Sequence, residues 1–228
     1  MTGRIAIIAA HPDDEVLGCG GTLARLANEG HQVHILLMAD GESSRGGAEQ
    51  PIDAGLLSAR NMAAETACKI LGCASVEALN LPDNRLDGMD RLDVIKQIEH
   101  FVERYQPSTV FTHHAGDVNI DHRVVHDAVI AACRPQPEHP VKELLFFEVP
   151  SSTEWRPPGS AITFAPNLFY DISTTFTLKL KALQVYESEL RTFPHTRSLK
   201  AVESLAQWRG ATVGVEAAEA FVLGRKVI

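Results

Sequence analysis

Two short apolar runs, residues 4–10 (RIAIIAA) and 31–40 (HQVHILLMAD), are joined by a single segment of helical spacing. Nothing else in the chain constrains its fold as much. Between them Leu17, Leu23, Leu26 and Ala27 recur on one helical face, and Gly30 closes the segment as a C-cap. Strand, helix and strand in so little chain form a βαβ unit, whose two strands lie parallel because the helix carries the crossover.

The unit recurs. Residues 57–71 are predicted as a helix ended by Gly72, 75–81 as a strand, and 91–106 as a strongly periodic helix before Pro107. Residues 108–113 read as a strand, 121–134 as a helix stopped by Pro135, and 144–149 as another strand. The expected fold class is α/β, a three-layer α/β/α sandwich on a Rossmann-like sheet of about five mainly parallel strands. After residue 150 the texture changes: an edge strand is expected at 167–172, with helices at 175–190 and 198–209. Residues 1–228 are read as one domain with a C-terminal excursion from about 151.

Composition removes several classes of function. Twenty-one Lys and Arg against 29 Asp and Glu leave a net charge of −8, so no nucleic-acid or anionic-membrane partner is expected. No window approaches a membrane span. Cys19, Cys68, Cys73 and Cys133 form no CxxC pair and read as reduced, partly buried hydrophobes. With three acids directly after a short apolar run, the N-terminus does not read as a signal peptide, and a cytoplasmic location is expected. A homo-oligomer is left open.

Ligands of open α/β sheets collect at the carboxyl ends of the parallel strands. There the sequence puts His11-Pro12-Asp13-Asp14-Glu15, Asp40-Gly41-Glu42, Pro82-Asp83-Asn84, and the stretch from His113 to His122. Anions crowded in this way need a compensating cation, and a divalent metal is the simplest one. Two His and one Asp leave an open fourth position, as a catalytic zinc site requires. His11 and Asp14 lie on one short turn stiffened by Pro12, and His122 comes from another strand end.

Ala10-His11-Pro12-Asp13-Asp14-Glu15 followed by Gly18-Cys19-Gly20-Gly21-Thr22 resembles the opening motif of the PIG-L/LmbE family of zinc-dependent N-deacetylases. Asp121-His122 is similar to that family's third-ligand motif, and Arg60 with Glu65 to its helix-borne Arg-x-x-x-x-Glu segment. Lys181-Ala182 through Ser188, Arg209-Gly210 and Ala218-Glu219-Ala220-Phe221 carry weaker echoes. The resemblance implies His11, Asp14 and His122 as ligands of Zn2+ (or Fe2+ or another divalent ion) and Asp13 as general base. It implies an N-acetylated amino sugar or sugar conjugate as the small-molecule partner. Where many members carry a histidine that helps stabilise the intermediate, this chain has Asn119, an amide without positive charge. His195, in Phe193-Pro194-His195-Thr196-Arg197, is therefore read as the candidate proton donor.

Blander readings compete at several positions. Asp13 or Asp14 could simply cap the following helix, but a cap explains neither the histidine nor three consecutive acids. Gly18-x-Gly20-Gly21 is not a dinucleotide fingerprint: the third glycine position is Leu23, and a phosphate would face three carboxylates. Those glycines read instead as permitting close packing of the helix. Arg60 is either a salt-bridged helix residue or an anchor for substrate hydroxyls or phosphate. Asp121 is expected at the substrate site, steadying His122 or its neighbourhood. His113 and His114 read as loop histidines, and His126 as a structural one. The rival functions are an amidase or hydro-lyase on a non-sugar substrate, and a non-catalytic metal- or sugar-binding domain. Asp13 separates the last of these, since a binding module has no use for a free carboxylate beside an activated water.

Overall fold

A computed structural model describes residues 2–44 and 53–228. The first five strands are β1 (Arg4–Ala9), β2 (Gln32–Ala39), β3 (Ser75–Leu81), β4 (Thr109–His113) and β5 (Glu143–Phe147). All five run parallel, in the spatial order β3-β2-β1-β4-β5. The order reverses between β1 and β4, and the crevice at that reversal is where doubly wound sheets bind ligands. Helices α1 (Asp14–Asn28), α2 (Ala54–Leu71), α3 (Arg91–Tyr105) and α4 (Ile120–Ala132) make the crossovers.

Alternation along β1 divides the core in two. Ile5, Ile7 and Ala9 pack with α1, α2 and the C-terminal helices, whereas Ala6, Ile8 and Ala10 pack with α3 and α4. This is the expected three-layer arrangement. Gly30 and Gly72 adopt φ of 89° and 74° just beyond α1 and α2, a conformation in which a Cβ would be strained.

The sheet is larger than the sequence indicated. Besides β6 (Leu168–Asp171), found at the expected edge, it contains β7 (Ala218–Lys226), which runs antiparallel between β5 and β6. Helices α5 (Phe176–Gln184) and α6 (Leu199–Ala211) precede β7. The single helix expected at 175–190 stops at Gln184. Val185 and Tyr186 close it with bonds to the carbonyls three residues back, and residues 187–189 form a 3₁₀ turn that points Glu189 at Arg60.

Glu219 ties β7, the second strand from the edge of the sheet, to α1. At Cys19 the backbone of α1 leaves helical geometry (φ −147°), which exposes polar groups of both half-helices. The Glu219 carboxylate accepts from the N–H groups of Gly21 (3.0 Å) and Thr22 (2.7 Å). Lys179 Nζ donates to the Leu17 carbonyl (2.8 Å) and to Glu219 (2.5 Å), so the buried ion pair satisfies the break from both sides.

The glycines of α1 allow close packing, as expected. A Cβ at Gly18 would lie 2.3 Å from the Phe147 ring, and one at Gly21 2.7 Å from Ile172. Gly18→Ala is expected to cost about 1–3 kcal/mol through overpacking. The check is a thermal melt, in which the midpoint should fall by several degrees. Phe147 packs on His113 (centroids 4.8 Å apart), so the same variant should also disturb the groups described next.

Candidate active site

His11 and Asp14 come from the turn that ends β1, and His122 from the first turn of α4. Asn119 caps α4, its Oδ1 accepting from the Asp121 N–H at 2.8 Å, and so fixes the direction in which His122 projects. His11 Nδ1, Asp14 Oδ2 and His122 Nε2 converge, with separations of 3.2 Å, 3.2 Å and 3.3 Å. A tetrahedral zinc with bonds of about 2.0–2.1 Å places its ligands about 3.3 Å apart, so the three atoms fit such an ion.

The remaining nitrogen of each imidazole meets a carboxylate. His11 Nε2 lies 2.9 Å from Asp83 and 3.2 Å from Asp121, and His122 Nδ1 lies 3.2 Å from Asp117. Such partners set the tautomer and aim the ligand nitrogen. Asp117 is held in turn by Ser152 and by Thr153 Oγ1 (2.7 Å). The fully buried Asp121 accepts from the N–H groups of Asn84 (2.7 Å) and Leu86 (3.1 Å). Asp121 therefore steadies His11 rather than His122, and it is not among the residues lining the cleft. Its burial and its three protein donors, which adjacency to His122 in the sequence could not reveal, occupy it.

The electrostatics of the cluster favour positive charge. Burial disfavours charged imidazole, yet Asp14 and Asp117 raise His122 to about 9. His11 is also raised against burial, by Asp121, Asp14 and Asp83. Burial pushes Asp14 up, but His122 and His11 bring it well below the usual carboxylate range. A field that stabilises protons on these rings will stabilise a divalent cation in their place.

Asp13 faces elsewhere. At φ 114° and ψ −27° it occupies left-handed space, rare for a residue with a Cβ, and so diverges from Asp14. Glu15, next along the chain, holds this conformation by accepting from the Asp13 N–H (3.0 Å), while Tyr186 Oη donates to Glu15 (2.6 Å). Burial pushes Asp13 up to about 7, against the pull of Arg197, whose Nη1 is 3.2 Å away.

These groups open into a cleft of about 440 Å³, lined also by Arg60, Asp83, Asn119, Trp155, Glu189 and Arg197. Arg60 combines its two readings: it lines the cleft, and it is ion-paired to Glu42 and Glu189. His195 does not line the cleft. Its Nδ1 accepts from the Arg197 N–H at 3.0 Å, and its ring packs edge-on against Trp155. The Pro-His-Thr-Arg turn thus delivers Arg197 to Asp13, and the histidine shapes the turn.

Sequence reading passed over Arg197, Glu189 and Trp155, which lie in a region without a strong local pattern. It also understated His113. That ring is fully buried, stacks on His122 with centroids 3.9 Å apart, and accepts from the Ala10 N–H (2.8 Å). Burial pushes its pKa down, so it is a neutral wall behind the three converging donors. His114 instead meets the Ile162 carbonyl (2.9 Å), and His126 that of His113 (2.8 Å).

Residues 6–133 match the PIG-L family, described as GlcNAc-PI de-N-acetylase. The chain is 35% identical over 190 residues to the uncharacterized deacetylase YaiS of Escherichia coli, covering 81% of this chain and 90% of that protein. It is 28% identical over 200 residues to the diacetylchitobiose deacetylase of Thermococcus kodakarensis, covering 82% and 70%. The crystal structure of the conserved protein TT1542 from Thermus thermophilus superposes with a TM-score of 0.77 at 27% identity, covering 100% and 97%.

Proposed function

Because the chain belongs to the PIG-L family and is a hydrolytic N-deacetylase, we propose that it removes acetyl from an N-acetylated amino sugar or sugar conjugate, using zinc held by His11, Asp14 and His122. The observation that carries this reading is the set of three donor atoms 3.2–3.3 Å apart, with the carboxylate of Asp13, outside that set and paired with Arg197, lining the same cleft. The substrate class rests on relatives such as the diacetylchitobiose deacetylase. Held there, a divalent ion would lower the pKa of a water from 15.7 towards ~7 and polarise the acetamide carbonyl.

The chain's own groups supply the proton chemistry. Asp13 takes a proton from the attacking water as the new C–O bond forms at the acetyl carbon. It returns that proton to the nitrogen as the C–N bond breaks, giving acetate and the free amine. A carboxylate raised to about 7 suits both halves of that cycle at neutral pH. Asn119, its oxygen committed to the cap on α4, has only its N–H2 to offer a substrate oxygen.

Acetate release from N-acetylglucosaminides by the metal-loaded protein is the direct test. One acetate per free amine is expected, and no acetate from any N-acetylated sugar would overturn the reading.

Arg197 and His195 should behave differently. Asp13 must be ionised to act as base, and Arg197 favours the ionised form. Removing that cation in Arg197→Gln lets burial raise Asp13 further, so the acid limb of the pH–rate profile should move to higher pH. Activity should fall most below about pH 7 and recover in part under alkaline conditions. His195→Gln should leave metal content and the acid limb in place. An equal collapse of turnover in His195→Gln, with metal retained, would return His195 to the proton-transfer step.

A further inference from the structure

Two features of the cleft bear on which sugars it accepts. The first is its charge pairing. Arg60 faces Glu42 at 2.5 Å and also Glu189, while Arg197 faces Asp13 at 3.2 Å and Glu189 at 3.5 Å. Each guanidinium already answers two carboxylates. A phosphate or carboxylate on the substrate would have to compete with these carboxylates for the same guanidinium donors, which weakens any attraction that the two arginines offer it.

The second is an indole presented to solvent at the cleft. Among the described residues, the lining side chains are polar apart from Trp155 and Val118, which are 52% and 40% exposed. Trp155 ends a short 3₁₀ turn, residues 153–155, that is fixed from several sides. Thr153 Oγ1 donates to Asp117 (2.7 Å) and accepts from the Val149 N–H (2.8 Å), while Glu154 accepts from the Ser151 N–H (2.7 Å). Since Asp117 also aims His122, the indole is held by the same group that positions a metal ligand. His195 packs edge-on against the ring at 5.5 Å.

A rigid aromatic face beside hydroxyl, amide and carboxylate groups suits a pyranose, which presents C–H bonds on its face and hydroxyls around its edge. We infer that the cleft selects uncharged N-acetylated glycosides, with a pyranose ring of the substrate resting on Trp155. This inference rests on the deacetylase reading above and narrows its substrate class.

Binding tests it without turnover. Metal-loaded Asp13→Asn protein, alone and with Trp155→Ala or Trp155→Phe added, is titrated calorimetrically. The probes are N-acetylglucosamine, its 6-phosphate and a β-linked di-N-acetylglucosamine. Trp155→Ala should weaken binding of a neutral sugar about tenfold, and Trp155→Phe should retain most of the affinity. A loss on both neutral sugars assigns the reacting ring to the indole, and a loss on the disaccharide alone assigns its neighbour; either supports the inference. The charge comparison is made with Asp13 intact, so that Arg197 keeps both of its carboxylates: there the apparent dissociation constant of the 6-phosphate should be at least about tenfold above that of its parent. Undiminished binding by Trp155→Ala, a phosphorylated sugar bound as tightly as its parent, or no binding of any probe would overturn it. Neutral sugars that bind but release no acetate from protein with Asp13 intact would instead overturn the deacetylase reading and leave this selectivity standing.

Discussion

His11→Ala is expected to abolish metal binding and activity together. His11 Nδ1 is one of the three donor atoms that converge at the proposed centre among the described residues. The other donor group among the described residues, His11 with Asp83 and Asp121, uses the same imidazole, so no alternative set survives the substitution. What remains is a buried Asp14 beside His122, a pair already close enough to share a proton. Elemental analysis should fall from about one divalent ion per chain to background. Acetate release should fall by at least the ~10²–10⁴ typical of losing a single acid–base group. Undiminished metal content in a folded His11→Ala protein would sink the ligand assignment.

Asp13→Asn should separate chemistry from metal binding. Asparagine has the size and shape of aspartate and tolerates left-handed backbone better than most residues, so φ 114° is no obstacle. Its carbonyl oxygen can still accept from Arg197, but the side chain cannot take a proton from water. Metal content should hold while turnover drops by about 10²–10⁴. If the metal disappeared instead, and zinc addition restored wild-type turnover, Asp13 and Asp14 would have exchanged roles.

Those two substitutions act at the part of the molecule most legible in the sequence. The spacing of His11 and Asp14 placed both on one turn, and the reversal of strand order between β1 and β4 brings His122 to it. The support around the proposed ligands was only half legible. Asp83 and Asp117 stood out as acids at strand ends, but which imidazole each would serve depends on how the β3 and β4 loops fold over one another. Adjacency suggested that Asp121 would serve His122; the α-helical turn directs it to His11 instead.

By itself, the sequence determined the βαβ repeats, the parallel run of β1 to β5 and the turn that carries His11, Asp13 and Asp14. Those features come from local periodicity and short-range geometry, which the neighbouring residues encode. Only the tertiary structure decided that β7 enters the sheet between β5 and β6, that Glu219 and Lys179 complete the break in α1, and that Arg197 rather than His195 reaches Asp13. Each of these joins residues far apart in the chain, or depends on where a patternless loop comes to rest. A strand interrupted by a buried glutamate shows little β-periodicity. It becomes a strand by pairing with β5 and β6, and its carboxylate satisfies an N–H group in a helix 197 residues earlier in the chain; no local window contains any of those partners.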